Sequence, residues 1–332
     1  MIECTTYRSP WKLRKLWEQL YAAGEYSPFQ SWISNWWYYV TYGLKGTRRK
    51  WQPRFLLMEE GDKQCIIAIA VNEKQKKVID FSVGGPIDYY DVISSTKDIA
   101  FVKACVDKLK ELYAGYEISL NNVNEKSLLI NALPKEAIVD EVSCVKIVFD
   151  SEKYEDYYQS LSKHQRQNIR TGYNKLGREG IAWRIEKYDT THKMPNSVWL
   201  KCLKMYEERC RIKKKRGRGL ILRIADWKNR QINLVNILVR RWDRAASFVL
   251  YFNNEPVAYM SGIYSENSHT FYVPRLSCNN QYLRYDAGIL MLNEAIKILL
   301  AEGVKVVDLT RGDEPYKLAM GGIIHMDYTY KI

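Results

Sequence analysis

Residues 285–317 read YDAGILMLNEAIKILLAEGVKVVDLTRGDEPYK, and the order of elements in this run decides the fold. The part from Asp286 to Gly303 predicts a helix, with Gly303 placed where a left-handed cap would end it, and VKVVDL predicts a buried strand directly after it. Upstream, RAASFVLYFN, PVAYMSGIYS and HTFYVPRLS predict three strands separated by the turn signals FNNEP and SENS. Three antiparallel strands, a crossover helix and a strand returning parallel make one α+β unit.

The first half carries the same order. RFLLMEE, QCIIAIAVN and KKVIDFSVGG predict an antiparallel meander. In DIAFVKACVDKLKELYAG, Ile99, Val102, Val106, Leu109 and Leu112 recur at helical spacing, and EISL follows as a strand. Both helices meet their strand at a glycine, in ELYAGYEISL and LLAEGVKVVDL. The repeated order predicts two related domains, at residues 1–143 and 144–332, which suits a chain of 332 residues. The first 45 or so residues and residues 151–243 read as mostly helical, the latter as an insertion in the second domain.

Hydrophobic residues make up 46% and charged residues 27%, a globular balance, and no apolar run approaches the ~20 residues of a membrane span. The opening MIECTTYRSPWKLRK lacks a secretory signal, so a cytoplasmic location is expected. The cysteines are seven, scattered and free of CxxC spacing, and the four histidines show no HxxxH pair, so neither a disulfide framework nor a metal site is expected. The formal charge of +13 favours anionic partners without choosing among them.

Three stretches hold candidate chemistry. A glycine in the first turn of the helix at Gly288 lets an anion approach exposed backbone N–H groups, with Arg284 beside it; alternatively Asp286 caps those groups and Gly288 serves packing. The corresponding first-half helix has Asp98 and no glycine at that place, which points to the second domain as the working one. In DLTRGDEPYK, Asp308 is expected at the carboxyl end of its strand; Asp308, Asp313 or Glu314 would serve as general base, Arg311 or Lys317 would hold an anionic substrate, and Tyr316 would protonate a leaving thiolate. The plain alternative is a Gly312–Pro315 turn whose charges pair in solvent. In SKHQRQNIRTGYNKLGR, Lys163, Arg166 and Arg170 share a basic helix face, a substrate grip or simply a solvated surface, and His164 lies nearby. The run KKKRGRG, from Lys213 to Gly219, reads as a loop, and no nucleic-acid motif accompanies it. GxGxxG, GxxxxGK[ST] and GxSxG are absent, which removes the usual nucleotide and serine-hydrolase readings.

FQSWISNWW near the start, LSKHQRQNIRTGYNKL in the middle and the stretch at 285–317 together resemble the CelD/BcsL-type acetyltransferases, a branch of the GNAT superfamily tied to exopolysaccharide synthesis. The resemblance implies two GNAT-like domains, each a mixed, mainly antiparallel sheet flanked by helices; Asp98 and the missing glycine make the first the degenerate one and the second the catalytic one. It implies acetyl-CoA as donor, bound at Tyr282, Arg284, Tyr285 and Gly288, although Arg284-Tyr285-Asp286-Ala287-Gly288 keeps only the outline of the usual Q/R-x-x-G-x-G/A turn. The acceptor it implies is an amine or hydroxyl on a sugar-containing envelope or exopolysaccharide precursor, with peripheral contact to a membrane or synthase complex compatible with it. Fem-like aminoacyl transfer from charged tRNA and a non-catalytic scaffold in polysaccharide synthesis are the competing readings.

Overall fold

In the computed structural model, residues 1–44, 50–81, 88–213, 242 and 244–332 are described. The chain divides into two compact units, Met1–Cys144 with His325–Ile332, and Val145–Ile324.

The first unit contains strands β1 (Glu3–Tyr7), β2 (Gln52–Glu60), β3 (Lys63–Asn72), β4 (Lys77–Asp80), β5 (Ile93–Ser94) and β6 (Glu117–Asn124), with helices α1 (Arg14–Ala23), α2 (Trp32–Leu44) and α3 (Ile99–Leu112). β1, β2, β3 and β4 are antiparallel neighbours, and β6 returns parallel to β4. The helix between them, α3, packs Phe101, Val102, Val106 and Leu109 onto Leu56, Ile67, Ile69 and Val78 of the sheet. The meander and crossover are those expected. The opening is not all helix: Glu3–Tyr7 is an edge strand on β2. Its threonines and half-exposed alternation carry little local signal, so the ladder to β2 decides its state.

The chain enters the second unit within β7 (Ile138–Val148) and returns to the first within β13 (Ile323–Lys331), whose Asp327–Lys331 part pairs antiparallel with β6. The last eight residues therefore complete the first unit instead of ending the second. Tyr330, fully buried in the first core, anchors them there.

The second unit holds helices α4 (Tyr154–Ser160), α5 (Lys163–Arg178), α6 (Asn196–Lys213), α7 (Ala287–Ala301) and α8 (Pro315–Ala319) with strands β8 (Trp183–Tyr188), β9 (Ala245–Phe252), β10 (Glu255–Ser265), β11 (Thr270–Cys278) and β12 (Val306–Arg311). Its sheet runs β7-β12-β11-β10-β9-β8. β8 to β11 are antiparallel and β12 is parallel to β11. Asn253 and Asn254 take positive φ at the β9–β10 turn, the conformation a two-residue hairpin needs and asparagine tolerates. β8 lies inside the stretch read as helical, so that stretch supplies the sheet's edge strand. Of the stretch read as helical, residues 214–241 and 243 lie outside the described residues, and with them the expected loop at 213–219 except for Lys213, which ends α6.

Burial on two sides of the sheet explains the unbroken apolar content of β9, buried at every position. One face (Phe248, Leu250, Phe271, Val273) meets α7, which is covered in turn by Tyr157, Ile169 and Leu176 of α4 and α5. The other face (Val249, Tyr251, Tyr259) meets Trp199 and Leu203 of α6. Among the described residues no helix is long and apolar enough to cross a membrane.

Candidate functional site

The two parallel strands of the second unit form a fork. β11 and β12 pair only at Thr270–Val306, Phe271–Val307 and Tyr272–Asp308, whereas β11 continues to Cys278 and β12 to Arg311. Irregular backbone sits on both arms where they part. Against β10, three steps of β11 from Tyr272 to Arg275 face two from Ile263 to Ser261, so β11 carries an extra residue beside Pro274, which has no N–H to offer a ladder. On the other arm Thr310 has φ +52° and reaches back to the Val273 carbonyl at 3.4 Å.

The amino end of α7 follows β11 directly. Its N-cap Asp286 adopts φ +54°, ψ +37° and makes no side-chain cap bond, so the first amides of the helix keep their positive character. The self-capping alternative is thereby removed. So is packing: a Cβ built on Gly288 would meet nothing nearer than Cys278 Sγ at 3.7 Å, an ordinary contact. Gly288 keeps the backbone of the first turn bare of a side chain, the arrangement that lets a phosphate approach helix N–H groups.

The first unit provides the control. On α3, Asp98 caps with its own carboxylate, accepting from Ala100 N at 2.9 Å and Phe101 N at 3.4 Å while pairing with Lys63 at 2.6 Å. That lysine and the two amides hold the Asp98 carboxyl below its ordinary pKa. Past the last β4–β6 rung, Ile79–Ser119, the fully buried Asp80 accepts from the Asn121 amide N–H at 3.3 Å and from the Asn121 side chain. The two units therefore differ at the helix start, where Asp98 caps α3 and Asp286 leaves α7 without a side-chain cap, and agree at the parting strands, where Asp308 accepts from Thr310 N as Asp80 accepts from Asn121 N.

Beyond β12, the RGDEPYK segment folds around Lys317. This side chain is only 4% exposed, and its ammonium donates to the carbonyls of Leu309 (3.0 Å), Thr310 (3.4 Å), Arg311 (2.9 Å) and Gly312 (2.7 Å) and pairs with Glu314 at 3.0 Å. Gly312, at φ +94°, makes the turn that aims these carbonyls inward. Lys317 is therefore the internal tie of the turn and not an anchor for substrate, a correction to the sequence reading. Burial next to acceptor oxygens outweighs its usual preference for water.

Asp308 is buried at the last paired rung, inside the strand and not at its end, and its Oδ1 accepts from Thr310 N at 2.8 Å. Glu314 accepts from Arg209 of α6 at 3.1 Å. Tyr316, half-buried, has its phenol pushed up to about 12, first by burial and then by the Glu314 charge, with the Arg209 guanidinium opposing. Glu314 and Tyr316 are thus brought together with Arg209, a residue the sequence reading missed because it sits in the charged run YEERCRIKKK, which looks like a solvated face.

The other candidates are dispersed. Arg166 donates to the carbonyls of Gln159 (2.7 Å) and Leu161, closing the joint between α4 and α5, so it is structural where a substrate grip was expected. Arg170 is exposed on the side of α5 opposite the buried stripe Gln165, Ile169, Gly172 and Leu176. His164 is exposed beside Asn168. Arg311 is exposed at the tip of β12. Arg284, 68% exposed, pairs with Glu179 at 2.8 Å, and Lys175 donates to the Arg284 carbonyl, so α5 holds the turn before α7. Tyr285 is buried with its ring edge to Phe252 and donates its hydroxyl to Glu179, and Tyr282 packs half-buried on the same phenylalanine. Among the described residues no group of three or more His, Cys, Asp or Glu is arranged to hold a metal.

Residues 163–318, which include the splayed parallel pair and the start of α7, match the family described as Acetyltransferase (GNAT) domain. Residues 163–318 thus form a GNAT-type acyltransferase domain, and the fold of the chain is like that of tandem GNAT proteins. A conserved protein of unknown function from Bacteroides thetaiotaomicron is similar across 99% of this chain and 100% of its own (13% identity, TM-score 0.59). FemX matches over 99% and 97% (8%, 0.52), and a tandem GNAT protein from the clavulanic acid biosynthesis pathway over 100% and 98% (9%, 0.52). No curated protein matches the sequence.

Proposed function

We propose that the second unit transfers an acyl group, acetyl in the simplest case, from acyl-CoA to an amine or hydroxyl on a sugar-containing envelope or exopolysaccharide precursor, and that the first unit is a degenerate copy that supports it. The observation that carries the donor assignment is the contrast between the two helix starts: the Asp98 side chain caps one, and Asp286 makes no side-chain cap at the other. A CoA pyrophosphate fits the uncapped amides at Ala287–Ile289, with Gly288 giving backbone approach and Arg284 a nearby cation. The acceptor class rests on the resemblance to the CelD/BcsL branch alone.

In this reading the parted arms of the fork hold the thioester between Val273–Leu276 and Leu309–Arg311. Glu314 takes the proton of the attacking amine or hydroxyl as its bond to the thioester carbon forms. When the carbon–sulfur bond breaks, Tyr316 gives its proton to the departing thiolate. A phenol held near 12 keeps its proton at every physiological pH, so the proton is in place when the thiolate leaves, while the raised value makes the transfer uphill until Glu314 gives up the proton it took and restores the phenol. Asp308, tied to the backbone of Thr310, shapes the turn that carries Glu314.

Mass spectrometry of envelope glycans from cells with the gene, without it, and complemented with Tyr316→Phe tests the reading. An acyl mass lost in the deletion and not restored by Tyr316→Phe is expected; identical glycans in all three strains overturn the acceptor assignment. Salt-dependent binding of tRNA with indifference to CoA would replace the donor by an aminoacyl-tRNA.

A further inference from the structure

The parted strands need something to hold them apart at a fixed width, and one side chain touches both. Arg209 of α6 donates through one terminal nitrogen to the Leu276 carbonyl, on the stretch of β11 that has left β12, and through the other to Glu314, in the turn that continues β12, at 3.1 Å. The charge of the same guanidinium acts on the phenol of Tyr316 and on the thiol of Cys278, opposing the rise that burial gives each of them. It is two-thirds buried, with an exposure of 32%, and Glu314 at 29% is held from its other side by Lys317.

From this geometry we infer that Arg209 is a positioning residue, a strut across the mouth of the fork that fixes the separation of its arms and orients Glu314 and Tyr316 toward the space between them. The inference rests on the proposed transfer at this fork and adds to it a residue on a different element. A planar guanidinium suits the task because its several N–H groups leave in fixed directions, so one side chain can satisfy a carbonyl on one arm and a carboxylate on the other at once. A lysine keeps the charge and reaches one arm well, but it cannot hold both in one plane. The groups that face Arg209 are Glu314 and Tyr316 from the turn, Leu276 from β11 and Cys278 at its end. Because Lys317 neutralises the far oxygen of Glu314, the chain of contacts runs from the carbonyl nest of the turn, through Glu314, to α6.

The strut makes a prediction that needs no acceptor. With tyrosines labelled at the 13Cζ carbon, and the Tyr316 signal assigned from Tyr316→Phe, the native protein should show one sharp Tyr316 line that does not titrate below about pH 11. Arg209→Met should displace that line and broaden it, whereas Arg209→Lys should fall between the two. Acetyl-CoA consumption with water as acceptor should drop at least tenfold in Arg209→Met with less than a threefold change in KM, and recover partly in Arg209→Lys. Circular dichroism melting of each variant separates loss of the strut from loss of fold; should Arg209→Met unfold, Arg209→Lys and Arg209→Gln carry the comparison. A Tyr316 signal unchanged in folded Arg209→Met or Arg209→Gln overturns the strut whether or not the protein consumes acetyl-CoA. Loss of acetyl-CoA consumption from the native protein, with the signal displaced as expected, would instead count against the donor and leave the strut standing.

Discussion

At the residue scale, side chains of like charge are put to opposite uses. Lys317 and Arg311 are six positions apart in one basic turn, yet the first is sealed under four carbonyls and the second is exposed. Sequence reading sees the charge and not its direction, which is why Lys317 and Arg166 were assigned to substrate and Arg209 was passed over. Replacing Lys317 by Met removes the cation while leaving Glu314 and the carbonyls half-buried, so the second unit should lose about 3 kcal/mol of stability, measurable as a shift of the urea midpoint. A change below about 0.5 kcal/mol would show that the carbonyls find other partners.

At the element scale, the α3 and α7 starts differ by what caps them. Asp98→Ala should cost about 1 kcal/mol, the usual value of a lost N-cap, because two amides lose their acceptor. Asp286→Gly should be neutral or stabilise by about 0.5 kcal/mol, since a residue at φ +54° gains by becoming glycine and no cap bond is lost. Equal losses at both positions would contradict the distinction. A pH effect belongs here too. Asp91 caps the short 3-10 turn Leu128–Asn131, accepting from Ser127 (2.6 Å), Leu128 (2.9 Å) and Val92 (2.8 Å), yet burial outweighs these bonds and raises its pKa to about 6. The folded state then holds the proton more tightly than the unfolded one, so the penalty is absent below pH 4 and full above pH 6. Stability of the first unit should fall as pH rises through that window, by an amount on the order of 2 kcal/mol, and Asp91→Asn should flatten the slope.

The repeated order of strands and crossover helix was legible in the sequence because it rests on local signals: β-branched runs, helical spacing and glycine at the helix ends. The weak edge strands Glu3–Tyr7 and Trp183–Tyr188 were not, since their state depends on a neighbour far along the chain. Of the candidate site, the placement of Gly288 in the first turn of a helix and of Glu314 and Tyr316 in one turn after a strand was readable from composition and turn chemistry. The fork was not, because strand separation is a matter of register, and register is not written in any single segment.

For the whole molecule, the two units share an architecture and differ in openness. The C-terminal strand contributes to the first unit, so removing residues 325–332 takes Tyr330 out of that unit's core. That truncation should abolish cooperative unfolding of the first unit, a loss above about 3 kcal/mol by the measure of a buried aromatic, read by calorimetric melting. The central claim is that only the second unit offers a donor site. Isothermal titration with acetyl-CoA tests it most directly, in the native protein and in Gly288→Trp, whose side chain would fill the space at the start of α7. One acetyl-CoA bound per chain, and none in Gly288→Trp with the fold intact, is the predicted result; no binding by the native protein, or undiminished binding by Gly288→Trp, would contradict it.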